Sequence, residues 1–440
     1  MSSQSILRSS KATSRLLVLI LSVAAAVLAV YAFFGTPSAL ALDTITDRPD
    51  PGTWNTAGTV FATALSEDGR TLYIGGKFRS VRENPPGEPG ESLRVGNVAA
   101  IDVESGAAIR TWTPQVTGTA EHPAVVHSLA VKDDKVFIGG NFTAVGGEPR
   151  QHLAAVDAVD GEATDGSVDP FAPEVLKATK KPWVYALLAD DSKLYVGGLF
   201  NTVDGAKRAN LAAFDLTTGE LDPAWRTKTN NKVRDLEFAS DRASIFLTGR
   251  FSSVTGSNGT QEARQSLARV HTDTGNLHTW QVPACPAAGC IQGPQQGWDL
   301  TVTPTKVYGG FGAGPNFAAA FHISPDPVLD GRQAWRFGTV GNVQTIALSP
   351  DGLRLFIGGH FGTNQLEQSV CGGRNNLSGL ASLNPQTGSI YCDWLPFLEP
   401  SVANGNGPWT MTTTSSQLWV GGGFTHVSGV EQRDLARFTL

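Results

Sequence analysis

The chain has 440 residues, and 34 Lys+Arg against 40 Asp+Glu leave a formal net charge of −6. With no dense Lys/Arg cluster, that balance excludes an electrostatic footprint for nucleic acid. Glycine (49) and proline (25) make up about a sixth of the residues while 41% are hydrophobic, a composition for many short strands joined by tight turns.

The N-terminus comes first. Arg8, Lys11 and Arg15 precede an uncharged run from Leu16 to Phe34, close to the length that spans a bilayer. Ala39-Leu40-Ala41 follows as a small-x-small cleavage pattern. Residues 1–41 are therefore expected to be a secretory signal peptide, with an uncleaved membrane anchor as the other reading. Either way, residues 42–440 are expected outside the cytoplasm.

Beyond this segment one phrase recurs: LYIGGKF (72–78), VFIGGNF (136–142), LYVGGLF (194–200), IFLTGRF (245–251), VYGGFG (307–312), LFIGGHF (355–361) and LWVGGGF (418–424). Its first glycine, or a threonine in its place, falls at 75, 139, 197, 248, 309, 358 and 421. A period of about 58 residues exceeds most solenoid repeats and suits a four-stranded propeller blade with generous loops. Each copy reads in the same order. An apolar strand such as VVHSLAV (125–131) meets a turn such as Glu67-Asp68-Gly69, and the Gly-Gly strand follows. A third strand (NVAAID, HLAAVD, NLAAFD, SLARVH) then leads to a fourth, which ends in Trp112, Phe171, Trp225, Trp280, Trp335 or Trp394. Glycines inside a strand mark close backbone approach.

The seventh copy stops at Leu440 after its third strand, and Pro51-Gly52-Thr53-Trp54 holds the missing aromatic. The prediction is an all-β chain: one seven-bladed β-propeller over residues 42–440, whose N-terminal strand completes the last blade and removes an exposed edge. The clearest copy, residues 184–225 (VYALLADDSKLYVGGLFNTVDGAKRANLAAFDLTTGELDPAW), resembles the delta-60-type propeller repeats of exported actinobacterial proteins. The resemblance runs from Trp54 to Leu440, with copy five (GGFGAGPNF) departing most. It implies a propeller in an extracytoplasmic setting and carries no catalytic set.

Chemistry-bearing motifs are sparse. HExxH, GxSxG, Walker and GxGxxG signatures are all missing from the sequence. Four cysteines suit disulfides in an oxidising compartment. Cys285 and Cys290 share one loop, and Cys371 and Cys392 lie in copy six, so the expected pairs are 285–290 and 371–392; the gaps do not suit a zinc site. Asp157, Asp160, Asp165 and Asp169 are close enough in sequence to raise calcium, without EF-hand spacing; no other cofactor is indicated. Arg150, Arg208, Arg264 and Arg374 recur three residues before a third-strand leucine, in register, which points to a structural role such as bonding loop carbonyls. Asn141, Asn258 and Asn376 match the glycosylation acceptor pattern by chance.

Aligning the first strands gives Ala62, His127, Tyr185, Arg234, Asp299, Gln344 and Thr410 as equivalents expected to face the central channel. Arg234 suits an anionic group, Tyr185 a ring, and His127 would make binding pH-sensitive. Two functions remain open. One is a non-enzymatic binding module for an extracellular protein or glycan, touching the membrane only through an uncleaved N-terminus. The other is a secreted propeller enzyme acting on glycans or another polymer, with Asp299 and His127 as its candidate groups.

Overall fold

The computed structural model describes residues 45–85, 88–159, 166–176, 182–283, 296–361, 371, 379–399 and 407–440. The expected signal peptide lies outside them, as do Cys285, Cys290, Asp160, Asp165, Arg374 and Asn376. Among the described residues the regular elements are strands, and no helix is long and apolar enough to cross a membrane.

Each Gly-Gly copy builds one antiparallel sheet, here numbered one to seven in chain order. Their first strands are Val60–Leu65, Val125–Lys132, Trp183–Ala189, Val233–Phe238, Gln296–Val302, Val343–Leu348 and Gly407–Thr413. The Gly-Gly strand sits in the middle of each sheet, and Thr71–Gly76 of sheet one is buried throughout. The turn before it is held by an aspartate. Ser66 Oγ and Arg70 N donate to Asp68 Oδ1 at 2.6 and 3.0 Å, and Gly69 takes the positive φ (73°) that the turn needs.

Among the described residues a full fourth strand forms in sheets five (Gln333–Thr339) and six (Ile390–Tyr391) only, where four strands were expected throughout. In sheets one to four the fourth segment keeps a single bridge: Ile101–Ala108, Val156–Val168, Phe214–Leu221 and Val270–Leu277. Pro114, Pro170, Pro223 and Pro283 follow or precede the aromatic closely in these four copies, and proline has no N–H to give a ladder. The Gln333–Thr339 segment contains no proline and forms a full ladder. The aromatics still anchor these segments. Trp112 and Trp280 are almost wholly buried, and their indole N–H groups donate across to the next sheet, at Asp157 O and His322 O (both 2.8 Å).

Consecutive sheets pack through their first glycine. A Cβ on Gly75 would stand 2.5 Å from Val126 Cγ1, and one on Gly421 would stand 2.6 Å from Val60 Cγ1. The first strands consequently lie side by side in sequence order, and that of sheet seven lies beside that of sheet one. Thr63 Oγ1 bonds Thr410 and Thr412 Oγ1 across this last junction (2.7 Å each). In copy five the residue in register with the other first glycines is Gly310, not Gly309. Gly309 instead makes room for the Phe311 ring.

The segment before sheet one runs along the third strand of sheet seven, Leu435–Thr439. Asp50 N donates to Arg437 O (2.7 Å), Arg433 N to Asn55 Oδ1 (2.7 Å) and Thr439 Oγ1 to Asp50 Oδ2 (2.9 Å). Trp54 packs into one apolar cluster with Val60 and Leu72 of sheet one and Trp419 and Leu435 of sheet seven.

Candidate functional site

The first strands surround a cavity of about 380 Å³. Each carries a β-bulge at the same point of its register, so one residue per sheet has no partner on the second strand. These residues are Phe61, His127, Tyr185, Arg234, Trp298, Gln344 and Trp409, and all line the cavity. A bulge re-aims the side chain that it frees. His127, Tyr185, Arg234 and Gln344 were predicted for this ring. Ala62, Asp299 and Thr410 were too, but they stand one residue past the bulge, and the aromatic residue before each occupies it.

Six of the bulged side chains form a closed cycle. Ring centroids are 5.0 Å apart for Phe61–His127, 5.3 Å for His127–Tyr185, 5.9 Å for Trp298–Trp409 and 5.3 Å for Phe61–Trp409. The Arg234 guanidinium completes it, 4.2 Å over the Tyr185 ring and 4.5 Å over that of Trp298, within cation–π range. Trp183 stacks on Tyr185, and His360 meets Trp409 edge-on. The seventh member, Gln344, is 3% exposed with neither end of its carboxamide hydrogen-bonded.

Just past this rosette lies a carboxyl cluster. Asp235 Oδ2 accepts Leu300 N–H of the next sheet (2.9 Å), and Asp299 Oδ2 accepts Ile346 N–H of the sheet after that (2.8 Å). Both are partly buried against the cavity, and burial, with the Asp299 charge beside it, lifts Asp235 well above the carboxylate range. Asp235 keeps its proton and donates to Asp299, itself raised by burial but steadied by the Ile346 N–H. Glu237, two residues on, is raised to about 8 by burial and then by Asp299. Asp235 escaped the sequence alignment because its counterpart in copy five, Asp299, was set against Arg234, one residue out of register, and Glu237 has no acidic counterpart in other copies.

His127 is not the pH sensor expected of it. Burial, then the Arg234 charge, pushes it down to about 3, so it stays neutral across the physiological range. Lys232 falls to about 8, through burial and the charges of Arg234 and Arg250.

The other predicted features are structural. Arg150 donates to Asp169 O (2.8 Å), Arg208 to Asp222 O (3.1 Å) and Arg264 to His278 O (3.5 Å), all loop carbonyls. Of the aspartates considered for calcium, Asp157 and Asp169 share Lys135 Nζ at 2.6 and 3.1 Å. Among the described residues no group of three His, Cys, Asp or Glu could hold a metal. Cys371 and Cys392 form a disulfide, and Asn141 is buried, 3% exposed.

Of solved structures, 1210 chains match. The WD40 β-propeller domain of Doa1 is similar at a TM-score of 0.50 and 13% identity, covering 89% of this chain and 96% of that one. A putative 6-phosphogluconolactonase from Bacteroides uniformis is similar at 0.47 and 13%, covering 75% and 82%. No protein-family model and no curated protein matches the chain. The likeness to the WD40 domain shows a β-propeller fold, and a fold so widely shared says nothing of activity.

Proposed function

We propose that residues 42–440 form a seven-bladed propeller of the delta-60-type repeat family, exported through residues 1–41 and closed by its own N-terminal segment. It works outside the cytoplasm as a binding module whose ligand, an extracellular glycan or protein terminus, docks on the rosette. The side-by-side first strands and the contacts of residues 50–56 with Leu435–Thr439 support the ring. The Cys371–Cys392 disulfide suits an oxidising compartment.

One observation carries the binding reading. A repeated scaffold delivers seven side chains to the same backbone position, and they include three aromatic types, a cation, an imidazole and an amide. Filling a channel needs no such variety, whereas recognition uses a few placed polar groups among apolar walls. Trp183, Trp298 and Trp409 lie in or against the rosette and make it fluorescent. Titrating a glycan and peptide panel against the secreted protein should change tryptophan emission. A panel that binds without changing emission would move recognition to the outer loops.

The hydrogen-bonded Asp235–Asp299 pair favours a second reading, a secreted enzyme acting on glycans. Mass spectrometry of the same incubations separates the two, because a binding module returns every ligand unchanged.

A further inference from the structure

We infer that the rosette takes a sugar residue bearing an oxyanion, a carboxylate or a sulfate, held on Arg234 with the saturated ring against the aromatic side chains. This rests on the rosette being the binding site. Arg234 makes no hydrogen bond or ion pair among the described residues, only its contacts with Tyr185 and Trp298, and its Nε is buried and unpaired. A guanidinium fixed between two rings keeps its planar fork of donors pre-oriented for an oxyanion.

The other unused groups point the same way. Trp298 Nε1 and Gln344 Nε2 are buried donors without partners, and Gln344 Oε1 is a buried acceptor without one. With Arg234 Nε, the buried side-chain atoms without a partner on the rosette itself are three donors and one acceptor. A ligand that satisfies them is rich in acceptors. A second cation is close by, because Lys232 feels the charges of both Arg234 and Arg250. Asp235 and Glu237 are raised by their enclosure, and the charge beside them, on Asp299, is already taken up by the Leu300 and Ile346 N–H groups and by Asp235, which leaves the guanidinium without an ion-pair partner.

Shape selects the sugar. Adjacent rosette rings are inclined by 40° (Phe61–His127), 65° (His127–Tyr185 and Trp298–Trp409) and 70° (Phe61–Trp409). Parallel rings would make a slot for a flat heterocycle; inclined ones make a bowl. A saturated ring fits a bowl and turns its weakly positive C–H groups to the negative aromatic faces. At about 380 Å³ the cavity is at the small end of ligand pockets, which suits a terminal residue more than a stretch of polymer.

The test titrates the secreted protein with a set of uronic acids, a set of hexose sulfates and their parent neutral hexoses, read by tryptophan emission and calorimetry. At least one acidic sugar should bind tenfold or more tighter than its neutral parent, and raised salt should narrow that gap. Arg234→Met should abolish the difference, and Gln344→Leu should weaken acidic-sugar binding several-fold with Arg234 intact. The wild-type selectivity needs no variant, so a misfolded Arg234→Met leaves the test standing. Equal affinity for acids and neutral parents would overturn the oxyanion and keep the site. Tighter binding of benzoate than of any acidic sugar would overturn the sugar. Silence towards all three sugar sets, with emission changed by another ligand of the broader panel, would overturn the inference and spare the binding reading.

Discussion

Glu237 and Asp434 hold protons that the unfolded chain gives up well below neutrality. Burial raises Glu237 to about 8 and Asp434 to about 7. A carboxyl with a raised folded pKa contributes stability that is complete below its unfolded value and is lost as pH rises through the folded value. Between about pH 6.5 and 8 these acids act without opposition. The buried His152 and the half-buried His127 and His278, lowered to about 4, 3 and 4, cost stability only as pH falls below 6.5. Lys232, lowered to about 8, adds stability only as pH rises above that. The melting temperature should therefore fall from pH 6.5 to pH 8, and Glu237→Gln should flatten the fall. A wild-type melting temperature that rises over this window would contradict the enclosed carboxyl.

The same strands show why the ring was read one residue late in three copies. Phe61, Trp298 and Trp409 look like core residues by their apolarity, and only hairpin register reveals that they are bulged. The signal was nevertheless in the numbering. From the bulge to the first glycine the count is 14 for Phe61 to Gly75, 12 for His127 to Gly139 and 12 for Trp409 to Gly421, whereas copy five misleads, its first glycine in sequence, Gly309, lying an even 10 residues from Asp299. Two-residue steps conserve the face of a strand; the odd counts from Ala62 and Thr410 do not. Asp235 and Asp299 hold the same place past the bulge in copies four and five, a match that the one-residue slip in copy five hid, whereas Glu237 has no acidic counterpart.

At the scale of the element, the junction between sheets four and five carries a compensated pair. Where five copies have a first glycine facing a valine and copy six has Gly358 facing Pro408, copy four has Thr248, and the residue opposite is Gly297. Thr248 Oγ1 donates to Ser266 O (2.6 Å) and fills the space that a Gly297 Cβ would need. Gly297→Val alone should cost about 1–3 kcal/mol by overpacking. Adding Thr248→Gly, which recreates the arrangement of Gly197 and Val233, should restore part of that in a urea double-mutant cycle. Strictly additive losses would show that the two residues do not share the space. Copy six offers a second element-level test. The Cys371–Cys392 disulfide, at a separation of 21 residues, closes a loop whose cross-linking contributes about 3 kcal/mol. Cys392→Ser should lose about that much in chemical denaturation.

For the whole molecule, the decisive junction is the one between its two ends. The copies themselves were legible, because six Gly-Gly phrases and one Thr-Gly phrase recur at a near-constant step and each became a central strand of a sheet. The place of the N-terminal segment was legible only by elimination, from a missing seventh aromatic, and its contacts resemble those of the internal junctions. Trp54-Asn55-Thr56 stands relative to the hairpin at Ser80–Arg82 as Trp112 to Thr117 stands to the hairpin at Ala144–Val145. Gln432 occupies the place of the recurrent arginines and donates to Thr53 O (3.2 Å), as Arg208 does to Asp222 O. Packing and edge protection can be separated by experiment. Trp54→Ala removes a buried indole, 5% exposed, but leaves the backbone bonds of Asp50 and Thr56. It should lower stability by about 3–5 kcal/mol and keep the protein monomeric. Deleting Ile45–Thr56 removes the indole and also uncovers Leu435–Thr439 as a free edge, a template for pairing with another chain. That variant should lose at least as much stability and also associate in light scattering. If the deletion melts with the wild type and stays monomeric, the N-terminal segment only decorates a ring that closes without it.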